Sequence, residues 1–266
     1  YDYCSRADEG SLPNDGCSDW VEADPLARVH LYTPISEMQR SIKRIELVGR
    51  TCYKGDVDKK GNLKKINLET ARNFITKRLE SNPPHESILE HGYMTVKFSG
   101  VSRGFSHEVI RHRLCAFLQK STRYVDEENF DMVLPPGTDW GEDGLLPRVC
   151  VQLPYSNKKE TWSLGWVKSF LSGIYGDLRR RGWAKESARQ FLPIGIETEI
   201  VVTANFREWR HIFALRTARS AHWEMRDVMC SLLSRIKEPL DPLFIDLHWA
   251  GTDKRGVPYW ARYYQY

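Results

Sequence analysis

Two short stretches of this chain concentrate positive charge. Between Arg103 and Arg123 lie Arg103, His107, Arg111, His112, Arg113, Lys120 and Arg123, against a single acid, Glu108. Between Arg207 and Arg219 lie Arg207, Arg210, His211, Arg216 and Arg219. A basic run is ordinarily a solvated face. Here, however, Arg113 shares the apolar flank of Val109 and Ile110, and Arg216 continues the series Trp209, Ile212, Phe213 at helical spacing, which puts a guanidinium on an apolar stripe. Burying an arginine is costly unless it meets an anion or a planar acceptor. Its fork suits a phosphate, or the edge of a uracil or flavin ring. The stretches therefore read as an anion or nucleotide site, or else as structural salt bridges. Ser121, set between Lys120 and Arg123, suits phosphate binding through its hydroxyl and neighbouring amides. No Ser-His-Asp pattern supports it as a nucleophile. Asn205 is a good helix N-cap whose amide could also serve a ligand. For His211, on the face of Arg207 and away from Arg216, surface packing is sufficient.

Other chemistries find little support. His107, Glu108 and His112 resemble a zinc-protease motif, but a histidine spacing of five sets the rings about 140° apart on a helix. His85, Glu86, Glu90 and His91 follow Pro83-Pro84 and read as a loop leading into a strand. No metal is expected. The chain has no dinucleotide G-x-G-x-x-G fingerprint, no P-loop and no G-x-S-x-G elbow.

The elements that must position these groups follow from periodicity. Val29, Leu31 and Thr33 alternate in a strand ending at Pro34; Ile35 to Val48 has helical spacing that stops at Gly49; Leu68 to Leu79 is a second helix. Tyr93–Phe98 alternates as a half-buried strand, and Val101 to about Phe117 reads as one helix. Residues 125–160 are irregular, Trp162–Leu178 is helical, Ile194–Ala204 is a long alternating strand, and helices follow over Phe206–Ala218 and His222–Ile236. Irregular interleaving of strands and helices favours α+β over a doubly wound sheet. Residues 1–26 read as an extension, 27–245 as one domain and 246–266 as an aromatic, Gly-rich tail.

Length and composition narrow the class. The chain has 266 residues, 41% hydrophobic and 28% charged, enough for a sizeable core without staples. A net charge of +4 is too mild to name nucleic acid as a partner. Six scattered cysteines with no C-x-x-C argue against a zinc ribbon or a disulfide scaffold and suggest reduced thiols in a cytoplasmic setting. No apolar run is long enough to span a membrane, and residues 1–26 lack the pattern of a signal peptide.

Arg111-His112-Arg113, followed after seven residues by Ser121, resembles the signature of flavin-dependent thymidylate synthases. The stretch His85-Glu86-Ser87-Ile88-Leu89-Glu90-His91, the closing Ser121-Thr122-Arg123-Tyr124, and the blocks Ala188-Arg189, Leu192-Pro193, Thr203–Arg207, Leu215-Arg216 and Ala221–Glu224 resemble that family in order and spacing. The resemblance implies a single α+β domain, a homotetramer with active sites between subunits, and conversion of dUMP to dTMP. Methylenetetrahydrofolate would be carbon donor, FAD the cofactor and NADPH the reductant. It implies FAD contacts from Ser87, Glu90, Arg111, His112, Arg113, Gln119, Asn205, Arg207 and His211, with His85 bordering flavin and folate. It places Glu108, Arg111, Gln119, Lys120, Ser121, Thr122, Arg123, Arg189 and Arg216 at the nucleotide, with Ser121, Arg123 and Arg189 around the phosphate. Arg216, Ser121 and His85 are the implied catalytic group; Arg216 would favour the N3-deprotonated uracil, so that C5 becomes nucleophilic without an enzyme nucleophile at C6. Cys115, inside the motif, is then a small packed residue. Cys115 and Leu118 are apolar where small or polar residues are frequent, and the Glu108/Gln119 pair varies in the family. A methylase or hydroxymethylase of UMP or dCMP is therefore the alternative. RNA binding through the arginine clusters lacks any RRM or KH signature.

Overall fold

The structure, a computed structural model, describes residues 20–24, 27–52, 55, 57, 64–138, 148–152 and 158–263. Its central antiparallel sheet is built from β1 (Trp20–Asp24), β2 (Ala27–Leu31), β3 (Tyr93–Ser102), β4 (Cys115–Gln119) and β7 (Glu197–Asn205), in the order β1-β2-β3-β7-β4. Alternation sets the faces: Met94, Val96 and Phe98 of β3 and Thr198, Ile200, Val202 and Ala204 of β7 are buried, while Thr95 and Lys97 of β3 and the intervening residues of β7 are half-buried. A two-stranded hairpin of β5 (Arg148–Gln152) and β6 (Lys159–Ser163), and another of β8 (Leu247–Thr252) and β9 (Pro258–Arg262), stand apart from this sheet. The architecture is α+β, as the interleaving of elements predicts.

The helices are α1 (Ile35–Thr51), α2 (Leu68–Leu79), α3 (Arg103–Val109), α4 (Leu164–Arg180), α5 (Lys185–Ala188), α6 (Phe206–Arg216) and α7 (Trp223–Ile236). One apolar cluster unites α1, α2, α6 and α7 with β2, β3 and β7. α2 has the bounds its periodicity predicts, with Asn67 and Thr70 closing a reciprocal cap at its start. α1 continues past Gly49 to Thr51. The glycine is there for packing: a Cβ would stand 2.6 Å from the Phe74 ring of α2.

The largest departure from the periodic reading is at 101–117, which is not one helix. Ser102 caps α3, accepting from Phe105 N at 3.0 Å, and the helix ends after seven residues at Val109. The chain turns, and β4 pairs with β7 from Cys115↔Ala204 to Gln119↔Ile200. Over β4 the burial period is two: Cys115, Phe117 and Gln119 are half-buried, while Ala116 and Leu118 face outward. The expectation that Arg113 lies on the flank of Val109 fails with the helix, and Arg113 is exposed. β1 falls in the stretch read as an extension, β5 within the region read as irregular, and β6 runs from that region through Trp162 and Ser163, in the stretch read as helical, so that α4 starts only at Leu164. β8 and β9 occupy the stretch read as a tail. Trp260 of β9 joins the core, and its backbone N–H donates to Thr217 O at 3.0 Å, pinning the end of α6. Cys52, Cys115, Cys150 and Cys230 are free; Cys4 and Cys17 lie outside the described residues. Among the described residues no helix is long and apolar enough to cross a membrane.

The second arginine cluster does contain a deeply buried cation, and it is Arg210. Its guanidinium, 3% exposed, bonds Glu86 (2.9 Å), Asp246 (2.8 Å) and the Leu243 carbonyl. Arg262 of β9 completes a two-plus-two charge network on the same carboxylates. This network ties α6 to the 3-10 turn Glu86–His91 and to the C-terminal hairpin. Removing one member leaves buried charge uncompensated. Arg210→Met is expected to lower unfolding free energy by about 3 kcal/mol or more in urea titration; a loss below about 1 kcal/mol would show the network to be energetically idle.

Candidate active site

The end of α3 and the end of α6 meet at Arg216. Its Nε donates to His112 Nε2, Nη1 to Glu108 Oε2 and Nη2 to the Glu108 carbonyl, each at 3.0 Å. A guanidinium has five N–H groups. Three are engaged here, leaving one on each terminal nitrogen for a ligand with two acceptors. The apolar stripe that the sequence places beside Arg216 is buried (Trp209, Ile212, Phe213), while the guanidinium end keeps a side-chain exposure of 19%.

This contact also fixes the state of His112. An arginine Nε can only donate, so His112 Nε2 must accept and the ring proton must sit on Nδ1, which faces Glu208 Oε1 at 3.2 Å. Burial, then the Arg216 and His211 charges, lower the His112 pKa from 6.5 to about 4, keeping the ring neutral. His211 is exposed and meets the His112 ring edge-on at 5.6 Å. His112, Glu208 and His211 bring three possible metal-ligand atoms within 4.8 Å of one another. Both nitrogens of His112 are already committed, however, and a metal on Nδ1 would leave a proton on Nε2 pointing at the Arg216 donor.

Of the residues assigned to the flavin, all but Gln119 come from the turn that carries His112, from α6 and its cap, or from the segment that α6 pairs with. Arg111 and Arg113 are exposed in the turn between α3 and β4, beside Leu114 and Leu118, each 75% exposed. Asn205 caps α6, its side chain accepting from Glu208 N at 2.8 Å. Arg207 pairs with Glu90, and Ser87 and His85 are exposed at and before the 3-10 turn that carries Glu90.

A second group collects beyond the far end of β4, about 13 Å along the strand. Gln119 turns inward to Ser106 Oγ (2.7 Å), and Lys120 pairs with Glu127 (3.2 Å). Arg189 Nη1 donates to Thr122 Oγ1 at 3.1 Å, which brings Arg189 to the Ser121–Arg123 segment. Ser121 Oγ accepts from Arg123 N (3.3 Å), whereas the Arg123 guanidinium turns to Glu186 (3.0 Å). Arg103, His107, Thr122 and Arg189 line one cavity of about 310 Å³. Arg103 there has no partner for its buried Nε; burial lowers its pKa, with Glu127 opposing and Arg189 reinforcing the shift.

A family model described as "Thymidylate synthase complementing protein" matches residues 34–240. A flavin-dependent thymidylate synthase of Mycobacteroides abscessus is 33% identical over 202 residues, 76% of this chain and 78% of the relative. The chain belongs to the flavin-dependent thymidylate synthase family. The Corynebacterium aurimucosum member is 34% identical over 222 residues, covering 81% and 85% of the two chains. The fold agrees: the crystal structure of thymidylate synthase X from Helicobacter pylori with FAD and dUMP aligns with a TM-score of 0.52 at 21% identity, over 82% of this chain and 97% of that one. The chain is thus an enzyme of thymidylate synthesis, as its Arg-His-Arg motif implies.

Sequence reasoning missed three parts of this flavin-dependent synthase. Glu208 was legible only as the fourth residue of an Asn-x-x-Glu cap signature, and its carboxylate goes instead to His112. Arg103 stood in the basic stretch without a role. Arg210 and its acids gave no local signal, since their partners lie 36 and 124 residues away.

His112 gives this site a pH signature. Above pH 6.5 the ring is neutral in both folded and unfolded chains. As pH falls toward 4, the unfolded chain takes up a proton that the folded site, faced by Arg216, His211, Glu208 and Glu108, refuses; stability therefore declines across this window, by up to about 3 kcal/mol. Wild type is expected to lose more midpoint in urea between pH 7 and pH 4.5 than His112→Gln, and equal losses would contradict a neutral, buried ring.

Proposed function

We propose that this enzyme converts dUMP to dTMP with methylenetetrahydrofolate as carbon donor and NADPH as reductant, on FAD held between subunits of a homotetramer. The observation that carries the reading is the half-buried Arg216, held from three sides with two N–H groups left over. A uracil deprotonated at N3 offers two adjacent acceptors with negative charge, and a preorganised cation stabilises it. Charge drawn to the ring in this way makes C5 nucleophilic without an enzyme group at C6. Cys115 is consistent with that: burial, reinforced by Glu208, pushes its thiol up to about 12, far from a thiolate.

The donor set fits FAD. Among the described residues Arg111 and Arg113 meet no carboxylate, and they flank the outward Leu114 and Leu118, a pairing suited to a pyrophosphate and a flat apolar ring. Arg111, His112, Arg113 and Gln119 would hold the cofactor with Ser87, Glu90, Asn205, Arg207 and His211, and His85 would border flavin and folate. Bound there, FAD would supply the redox and carbon-relay chemistry. At the other end, Ser121, Arg123 and Arg189, with Lys120 and Thr122, would take the nucleotide phosphate, and Glu108 would sit between phosphate and base. Exposed Leu114, just before edge strand β4, and Leu118 on it favour burial against another subunit.

The purified protein is expected to be yellow and to release FAD on denaturation; failure to reconstitute with FAD would refute the reading. NADPH oxidation should be stimulated by dUMP and not by UMP or dCMP; stimulation by either of those instead would assign the related methylase or hydroxymethylase activity. Arg216→Ala should keep the flavin and lose dUMP turnover by about 100-fold or more, and near-normal turnover would remove Arg216 from its role. Light scattering should give about four times the chain mass of 31.0 kDa; a monomer would sink the shared site.

A further inference from the structure

Glu208 is a buried carboxylate that the reaction above does not use. It is 7% exposed, in the first turn of α6, and burial raises its pKa, with His211 opposing. A carboxylate in that position usually stays solvated near the helix N-terminus. Here it is turned inward onto the one ring nitrogen that Arg216 leaves to it.

We propose that Glu208 is a positioning residue for Arg216: by accepting the Nδ1 proton of His112 it holds the tautomer whose bare Nε2 receives Arg216 Nε, and so aims the free edge of the guanidinium at the pyrimidine. The chain of contacts is continuous, Glu208 Oε1 to His112 Nδ1 at 3.2 Å and His112 Nε2 to Arg216 Nε at 3.0 Å. The alternative tautomer sets Nε2–H against Nε–H, two donors in contact, and Arg216 must then swing away from His112. Glu108 alone would then hold the guanidinium, through its two terminal nitrogens and with Nε unheld. Glu208 is thereby linked to base recognition without touching the base.

This inference rests on Arg216 binding the pyrimidine, and a double-mutant cycle on the FAD-loaded enzyme separates the two ideas. The readouts are dUMP affinity from flavin absorbance changes, FAD content, and kcat and KM for dUMP. Glu208→Ala should weaken dUMP binding by about 10-fold or more with FAD content unchanged. Glu208→Gln, whose amide oxygen accepts the same proton, should stay within about 3-fold of wild type. In an Arg216→Ala background, Glu208→Ala should add less than about 2-fold, because the two act as one unit. Glu208→Ser serves the same purpose should the alanine variant not fold. Wild-type dUMP affinity in Glu208→Ala, or losses that multiply in the double variant, would overturn the inference while leaving Arg216 at the base. Unchanged binding in Arg216→Ala alone would overturn both.

Discussion

A guanidinium that must be held firmly and yet keep donors free is the constraint around which this molecule is arranged. Arg216 satisfies it at the last position of α6, with Glu108 on one side and His112 on the other. Each of those partners comes from the segment that ends α3 and turns toward β4. The geometry therefore depends on β3 and β7 lying side by side, because α3 leaves the end of β3 and α6 leaves the end of β7. The start of α3 is fixed further by Glu224 of α7, whose carboxylate accepts from both Ser102 N and Ser102 Oγ at 2.6 Å. The other end of the arrangement is held by the C-terminal hairpin, which reaches the backbone of Thr217, the residue after Arg216.

Two arginines six residues apart on α6 thus have opposite assignments. Arg210 has every charge balanced and is sealed at 3% exposure, so its role is to fasten the helix. Arg216 is left partly open and incompletely paired, which suits the ligand-binding role proposed for it. The difference lies in the partners rather than in the helix. Arg210 meets two carboxylates from distant parts of the chain that are also bridged by Arg262, whereas Arg216 meets one carboxylate, a carbonyl and a neutral ring.

How far the sequence could be read follows the same line between local and distant causes. α2 and the Asn205 cap were legible because their signals lie within three or four residues: a cap side chain and an apolar face. Arg216 was legible on its stripe because α6 runs unbroken through Trp209, Ile212 and Phe213. The same argument failed for Arg113, since Val101, Phe105 and Val109 carry helical spacing only as far as the helix goes, and the next apolar residues alternate as an edge strand. Nothing within 101–117 marks that switch; it is made by the pairing of β4 with β7, some 85 residues on. The residues proposed to bind were assigned through the family motif and the basic spacing. Those that hold them were not, because Glu208 and Arg210 take their meaning from partners far along the chain.

The division between the two ends of β4 follows from electrostatics. A nucleotide monophosphate presents a fixed dianion at one end and, once its uracil loses the N3 proton, a transient anion on the base at the other. A single dense basic patch would serve the first and trap the second in a ground state. The chain instead keeps Arg189 and Arg103 beside Thr122, at a wall of one cavity, and at the other end sets Arg216, proposed to meet the base, between a neutral imidazole and a glutamate. A protonated His112 would add a second cation beside Arg216 and break the contact that orients it. Its burial away from water, with its one proton committed to Glu208, leaves Arg216 the one cation of that contact, which is what the proposed pairing with a singly charged pyrimidine requires.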